Sequence, residues 1–289
     1  MFKNIFMEGK ISMKESFEIA MCQMKVVENK EQNIENAVSM IKAASDHGAS
    51  MVVLPEMFNC PYENDKFVEY AEERRTSKTL KIISRVANQN SVYVVAGSIP
   101  EKDGGNIYNS SFIFDDNGNI LDVHRKLHLF DVQVDDGINF KESDTITYGD
   151  QVTVVDTPVI KFGVAICFDM RFPELFRLMI MEGAKLVVVP GAFNMTTGPS
   201  HWETTLRTRA IDNQIYMAAV SPARNNELSY VAYGHSMLVD PWGDVVETAQ
   251  EDETIVYATI NEEYVNKIRE ELPLLKNRRE DIYEIIKKE

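Results

Sequence analysis

Cysteine is scarce in this chain, with Cys22, Cys60 and Cys167 the only three among 289 residues. They cannot all pair with one another, and none falls in a CxxC or Cys/His spacing, which argues against a disulfide framework and a thiolate zinc site. Long apolar runs are missing too. No stretch approaches the ~20 apolar residues of a spanning helix, and the opening MFKNIFMEGKISMKES lacks the apolar segment of a secretory signal. A cytoplasmic protein without membrane attachment is expected, with residues 1–16 forming an N-terminal extension. Basic residues are outnumbered, 30 Lys and Arg against 45 Asp and Glu, for a formal charge of -15. Such a balance disfavours nonspecific contact with nucleic acid or anionic lipid, while leaving room for a local basic pocket. GxSxG, HExxH and the P-loop are absent as well, which removes three widespread routes to hydrolysis.

What is present is a strand and helix grammar on a 44% hydrophobic chain. FEIAMCQMK reads as a buried strand, EQNIENAVSMIKAASDHG as a helix closed by glycine, SMVVLPE as a second strand, residues 76–90 as a helix and VYVVAGS as a third strand. The second half repeats the first. GASMVVLPEMFN (48–59) aligns with GAKLVVVPGAFN (183–194), and SFIFDDNGNILD (111–122) with SMLVDPWGDVVE (236–247), each of the latter a strand, a glycine turn and a strand. Two such halves without a Pro/Gly/Ser-rich linker predict one α/β domain over 17–262, a four-layer αββα sandwich with two pseudo-symmetric halves. Residues 263–289 form a charged C-terminal helix and tail, either an arm across a partner or a frayed end.

Three residues invite a chemical reading. Cys167 ends the apolar run before CFDMRFPE, at a strand-to-helix elbow where α/β sheets expose side chains to ligands. A cysteine after a strand is more often packing, and Cys22 and Cys60 keep that reading. Glu56 ends a buried strand, where an acid is poor core filler; the repeat places Gly191 at the matching position, so the backbone there does not itself require a carboxylate. A solvated loop acid or helix cap is the plainer alternative. Lys126 lies in HRKLHLFD, and a basic run is ordinarily a solvated face. His124 and His128 in the same run are about 13 Å apart if the strand stays extended at about 3.3 Å per residue, too far for one metal. Together, a thiol, a carboxylate and an ammonium can hydrolyse an amide without histidine. The carboxylate takes the thiol proton, the thiolate attacks, and Lys126 with the Phe168 backbone N–H stabilises the oxyanion. Lys126 favours thiolate and Glu56 disfavours it, so the resting protonation of Cys167 stays open at this level.

LPEMFN, HRKLHLFD and CFDMRFPE, in that order, resemble the Glu, Lys and Cys motifs of the nitrilase superfamily, and the similarity runs from about Phe17 to Tyr283. The resemblance implies an αββα fold, catalysis by Glu56, Lys126 and Cys167, and a further positioning glutamate that maps through FKES to Glu142, for which an exposed loop acid is the alternative. FNCPY, KLHLFD, FKES, CFDMRFPE, GAFNMTTGPSHWE and SPAR are most similar to the ω-amidase branch, whose members release ammonia from the terminal amide of 2-oxoglutaramate or 2-oxosuccinamate. That likeness implies a pocket lined by Tyr62, Phe168 and the segment from Phe193 to Thr196 and Thr197, where the threonines could instead cap a helix. Arg171 either meets a substrate carboxylate or pairs with Glu174 or another acid. The alternatives are a deaminated-glutathione amidase and a noncatalytic interaction protein on the same scaffold. No metal or organic cofactor is implied. The expected partners are a small carboxylate-bearing amide and a second copy of the chain, as a homodimer or larger homo-oligomer.

Overall fold

This computed structural model describes residues 16–135 and 137–288. Of the extension expected over residues 1–16, residues 1–15 lie outside them, and Ser16 already stands opposite Asn261 at the start of a strand. In the larger sheet, Ser16–Gln23 runs antiparallel to Thr254–Asn261 and parallel to Met51–Val53. Tyr93–Val95, Asn106–Phe114, Ile99–Asp103 and Glu72–Glu73 continue the order, and Ile120–Arg125 also pairs with Asn106–Phe114. The second sheet orders Thr153–Asp156, Lys161–Val164, Leu186–Pro190, Tyr216–Val220, Met237–Val239 and Val245–Thr248, its parallel strands at the centre. A small hairpin, Asp131–Gln133 with Asn139–Lys141, stands apart from both.

Side-chain alternation explains why these strands are apolar on both faces, because successive residues point to opposite sides of a sheet. Ile19, Met21, Met51 and Val53 meet Phe162, Val164, Leu186 and Val188 in a core between the two sheets. Their neighbours Ala20, Cys22, Val52 and Leu54 turn outward against the helices Lys30–His47 and Lys78–Asn90. On the far side, Val187, Val189, Met217 and Ala219 pack under Pro173–Met181 and Gly198–Asn213. The result is the expected order of helices, sheet, sheet, helices. Cap chemistry sets the helix limits. The Ser77 hydroxyl accepts from Leu80 N, which starts the helix Lys78–Asn90 at Lys78 rather than at residue 76, and Gly48, at φ 108°, ends Lys30–His47.

The repeated hairpins match beyond their letters. Register shifts between Ile113 and Phe114 in one and between Leu238 and Val239 in the other, at aligned positions. Gly118 N donates to Asp115 O at 3.0 Å and Gly243 N to Asp240 O at 2.9 Å. In each turn an aspartate Oδ1 accepts two backbone N–H groups: Asp115 from residues 117 and 119, Asp240 from residues 242 and 244. The C-terminal helix, Glu262–Glu271, buries Val265 in the inter-sheet core, and Ile268 is buried as well. Beyond it, residues 272–288 form turns, with Ile282, Tyr283 and Ile286 exposed.

Candidate active site

Glu56 is delivered by the strand Met51–Val53 and held by the loop beside it. Leu54 N donates to Val95 O, and Ser98 N to Pro55 O. Gly97, at φ 47°, lies so close that a Cβ there would stand 2.0 Å from Pro55 O, so a side chain has no room. Lys126 follows the end of Ile120–Arg125, its N–H donating to Asn109 O at 2.9 Å. Glu142 opens a short turn after the small hairpin. Cys167 opens a tight turn between Lys161–Val164 and the helix whose first residue is Pro173. Its φ of 47° is left-handed, a conformation that costs a non-glycine residue about 1–3 kcal/mol and that clusters at functional sites.

These four side chains converge and are buried. Lys126 Nζ donates to Glu56 Oε1 at 2.9 Å, to Glu142 Oε2 at 2.8 Å and to the Tyr62 hydroxyl oxygen at 3.1 Å. Burial disfavours the ammonium, but Glu142, Glu56 and Cys167 overcome it and hold the Lys126 pKa well above its ordinary value. Ala192 N donates to Glu56 Oε2 at 2.8 Å and Phe130 N to Glu142 Oε2 at 2.7 Å, so each carboxylate is satisfied from more than one side. Burial, the Glu56 carboxylate and a hydrogen bond to it push the Cys167 thiol well up, against the pull of Lys126. The electrostatic contest left open by the sequence thus resolves toward a protonated thiol with a carboxylate within reach of its proton.

A second charged group closes the turn that Cys167 opens. Burial lowers the Arg171 pKa from its ordinary value, and the guanidinium lies over the rings of Phe193 at 4.8 Å and Phe168 at 5.6 Å. Its one polar contact through the guanidinium is with His201 Nδ1 at 3.1 Å, and its Nε is buried without a partner. Among the described residues it forms no ion pair with Glu174 or any other acid. Thr197 stands at the N-cap of Gly198–Asn213 but makes no side-chain cap bond; Asn194 Oδ1 instead accepts from Thr196 N, Thr197 N and the Thr197 hydroxyl. Thr196 is exposed and Thr197 half-buried, and neither borders the cavity next to Glu56.

Residues that the motifs did not single out complete the site. Asn109 Nδ2 donates to Glu56 Oε1 at 2.9 Å and to Glu142 Oε1 at 3.2 Å, bridging the two carboxylates with a neutral donor. Its signal was present in the sequence as a polar NSS run inside an otherwise apolar strand, and Asn109, Ser110 and Ser111 are all buried. Tyr230 packs tilted against Tyr62, ring centroids 4.6 Å apart, and donates its hydroxyl to Ala192 O; with Met57 and Cys60 it borders a narrow cavity of about 20 Å³ next to Glu56. His124 and His128 do not stand apart as an extended strand would hold them. The strand ends at Arg125, the chain bends, and both imidazoles reach one carboxylate, that of Asp169. Among the described residues no cluster of metal-ligating side chains occurs. A surface cleft lined by Arg74, Glu101 and Arg125 already pairs these charges internally.

Comparison with known proteins agrees with this arrangement. Residues 18–270 match the family model described as carbon-nitrogen hydrolase. The mouse protein "Omega-amidase NIT2" is 46% identical over 270 residues, which cover 93% of this chain and 98% of that one. The crystal structure of Saccharomyces cerevisiae Nit3, a member of branch 10 of the nitrilase superfamily, superposes with a TM-score of 0.85 at 41% identity, covering 93% of this chain and 98% of that one. The Caenorhabditis elegans NitFhit structure superposes at 0.86 with 33% identity over 94% of this chain and 67% of that one. On the matched family, the shared architecture and the assembled Glu, Lys and Cys side chains, this chain belongs to the carbon-nitrogen hydrolases of the nitrilase superfamily.

Proposed function

We propose that the chain is a cysteine-dependent amidase acting on the terminal amide of a small dicarboxylic acid monoamide, 2-oxoglutaramate or 2-oxosuccinamate. Glu56 takes the Cys167 proton as Sγ attacks the amide carbon, and the oxyanion is held by Lys126 Nζ and the Phe168 N–H. The oxyanion takes the place of the neutral Tyr62 oxygen as an acceptor for the ammonium. Glu56 then gives its proton to the amide nitrogen, the C–N bond breaks and ammonia leaves a thioester on Cys167. Deprotonated by Glu56, a water attacks that thioester; the C–S bond breaks, the sulfur recovers its proton and the dicarboxylate departs. A thiol that rests protonated suits this order, because its proton becomes the one delivered to the leaving nitrogen.

One observation carries the choice of substrate: the Arg171 guanidinium, on the same short turn as Cys167 and half-buried over two aromatic rings, has no carboxylate of its own among the described residues. An acid-bearing amide supplies it, with the distal amide directed to the sulfur. The mouse relative's name, an ω-amidase, supports the same reading. The test compares ammonia release from 2-oxoglutaramate, 2-oxosuccinamate, deaminated glutathione, butyramide and the matching nitrile, by the parent and by Arg171→Met. The oxo-acid amides should be preferred, and Arg171→Met should lower their kcat/KM about tenfold or more while leaving butyramide within about twofold. Preference for deaminated glutathione would move the assignment to that amidase activity. Preference for the nitrile would overturn the amidase reading, and absence of turnover on all of them would favour a noncatalytic role.

A further inference from the structure

Asp169 lies two residues after Cys167 and its carboxylate is fully buried. Oδ2 accepts from Ile166 N at 2.9 Å and His124 Nε2 at 3.2 Å; Oδ1 accepts from His128 N at 2.8 Å and His128 Nδ1 at 2.8 Å. Its own N–H donates to Ile166 O at 3.0 Å. The bonds to residue 166 clasp the backbone on both sides of Cys167, where the left-handed φ must be sustained. Those to His124 and His128 grip the other segment two residues before and two after Lys126. His124 is backed by the Thr153 hydroxyl at 3.1 Å from Nδ1, and His128 stacks on Phe172 with ring centroids 3.6 Å apart. Although burial opposes it, hydrogen bonds from both histidines hold the Asp169 carboxyl well below the usual range, so the anion persists.

We propose that Asp169 is a positioning residue that joins the Cys167 turn to the Lys126 segment, fixing the distance from nucleophile to ammonium while sustaining the backbone strain at Cys167. It touches neither sulfur nor substrate. The inference rests on the reading that Cys167 and Lys126 carry the chemistry. A carboxylate is required because all four groups around it are donors: an asparagine would turn an NH2 toward one of those pairs. The side chains flanking Lys126 are His at both positions because an imidazole N–H reaches the anion from either side of the bend.

Parent, Cys167→Ala, Asp169→Asn and His128→Ala proteins are compared in steady-state hydrolysis of the preferred amide, in the rate of iodoacetamide alkylation at Cys167 by intact-mass spectrometry where the thiol is present, and in thermal unfolding. Inactivity of Cys167→Ala keeps the underlying reading; parent-like activity there removes it, whatever Asp169 does. Asp169→Asn should lower kcat about 100-fold, the scale of a misplacement near 1 Å, with KM within about threefold and a changed alkylation rate. His128→Ala, altered at a part-exposed side chain, should lower kcat about tenfold at unchanged KM. Parent kcat and alkylation rate in folded Asp169→Asn would overturn the proposal. If Asp169→Asn does not fold, the same parent values in His128→Ala overturn it. Losses accounted for entirely by unfolded protein, with parent activity per folded molecule, also overturn it, since Asp169 would then be structural alone.

Discussion

Replacing Lys126 by methionine deletes the only cation within hydrogen-bonding distance of Glu56 and Glu142 among the described residues, in a place where none of the three is accessible to solvent. Breaking a buried ion pair from one side costs about 3–5 kcal/mol, because the remaining charge stays desolvated. At 2–4 °C per kcal/mol for a domain near this size, the midpoint of thermal unfolding should fall by roughly 10 °C. The pH dependence gives the test its sign. In the parent, the Lys126 pKa is raised, so its contribution is present in full below the unfolded value near 10.4 and is lost only as pH rises through the folded one. In Lys126→Met, two neighbouring carboxylates cannot both stay ionised without cost, so one gains a raised pKa in the folded state. A raised carboxyl binds more protons folded than unfolded, and stability then falls as pH rises. The deficit against the parent should therefore be larger at pH 8 than at pH 5. Adding Glu142→Gln removes one of the opposed charges, and the double variant should recover about 1–3 kcal/mol relative to the sum of the singles. Differential scanning calorimetry of the four proteins at both pH values measures all of this. A loss under about 1 kcal/mol, or equal deficits at pH 5 and 8, would refute the view that the ammonium neutralises two ionised carboxylates.

Cys167→Ala should abolish turnover while moving the unfolding midpoint only slightly, whereas Cys22→Ala and Cys60→Ala, which alter buried packing, should retain activity; ammonia release and calorimetry check each. Glu56→Gln should leave neither acylation nor thioester hydrolysis, and a variant that still releases ammonia at the parent rate would remove Glu56 from the mechanism. Asn109→Leu keeps the strand but withdraws the amide donor shared by Glu56 and Glu142, so kcat should fall about 10-fold to 100-fold, with the folded state confirmed by calorimetry.

The parts of this molecule legible in its sequence are those set by local rules. Apolar strands with alternating destinations and a repeated aspartate-glycine turn announce the layered fold, and an acid at the end of MVVLP or a cysteine at an elbow stands out against its apolar neighbours. The parts that were not legible depend on where a chain bends. His124 and His128 look about 13 Å apart on an extended strand, but the strand stops at Arg125 and they share one carboxylate. Ala192 enters through its backbone N–H, which no side-chain pattern can advertise. Asp169 reads as an ordinary acid near a helix start until the two histidines are seen to arrive from 41 and 45 residues away in sequence.

The two halves of the chain are related by repetition, yet they divide the labour of the site. Glu56, Lys126 and Glu142 all come from before residue 143, and Cys167, Arg171 and Phe193 from after it. At the position matching Glu56 the second half carries Gly191, and a Cβ built there would lie 3.3 Å from Cys167 Cα and 3.3 Å from the Trp202 ring. The Cys167 backbone and the Trp202 ring would each have to give by a few tenths of an ångström to admit a side chain. A carboxylate at both matching positions would therefore crowd the turn that carries Cys167, and the glycine of the second half leaves that turn its room beside Glu56.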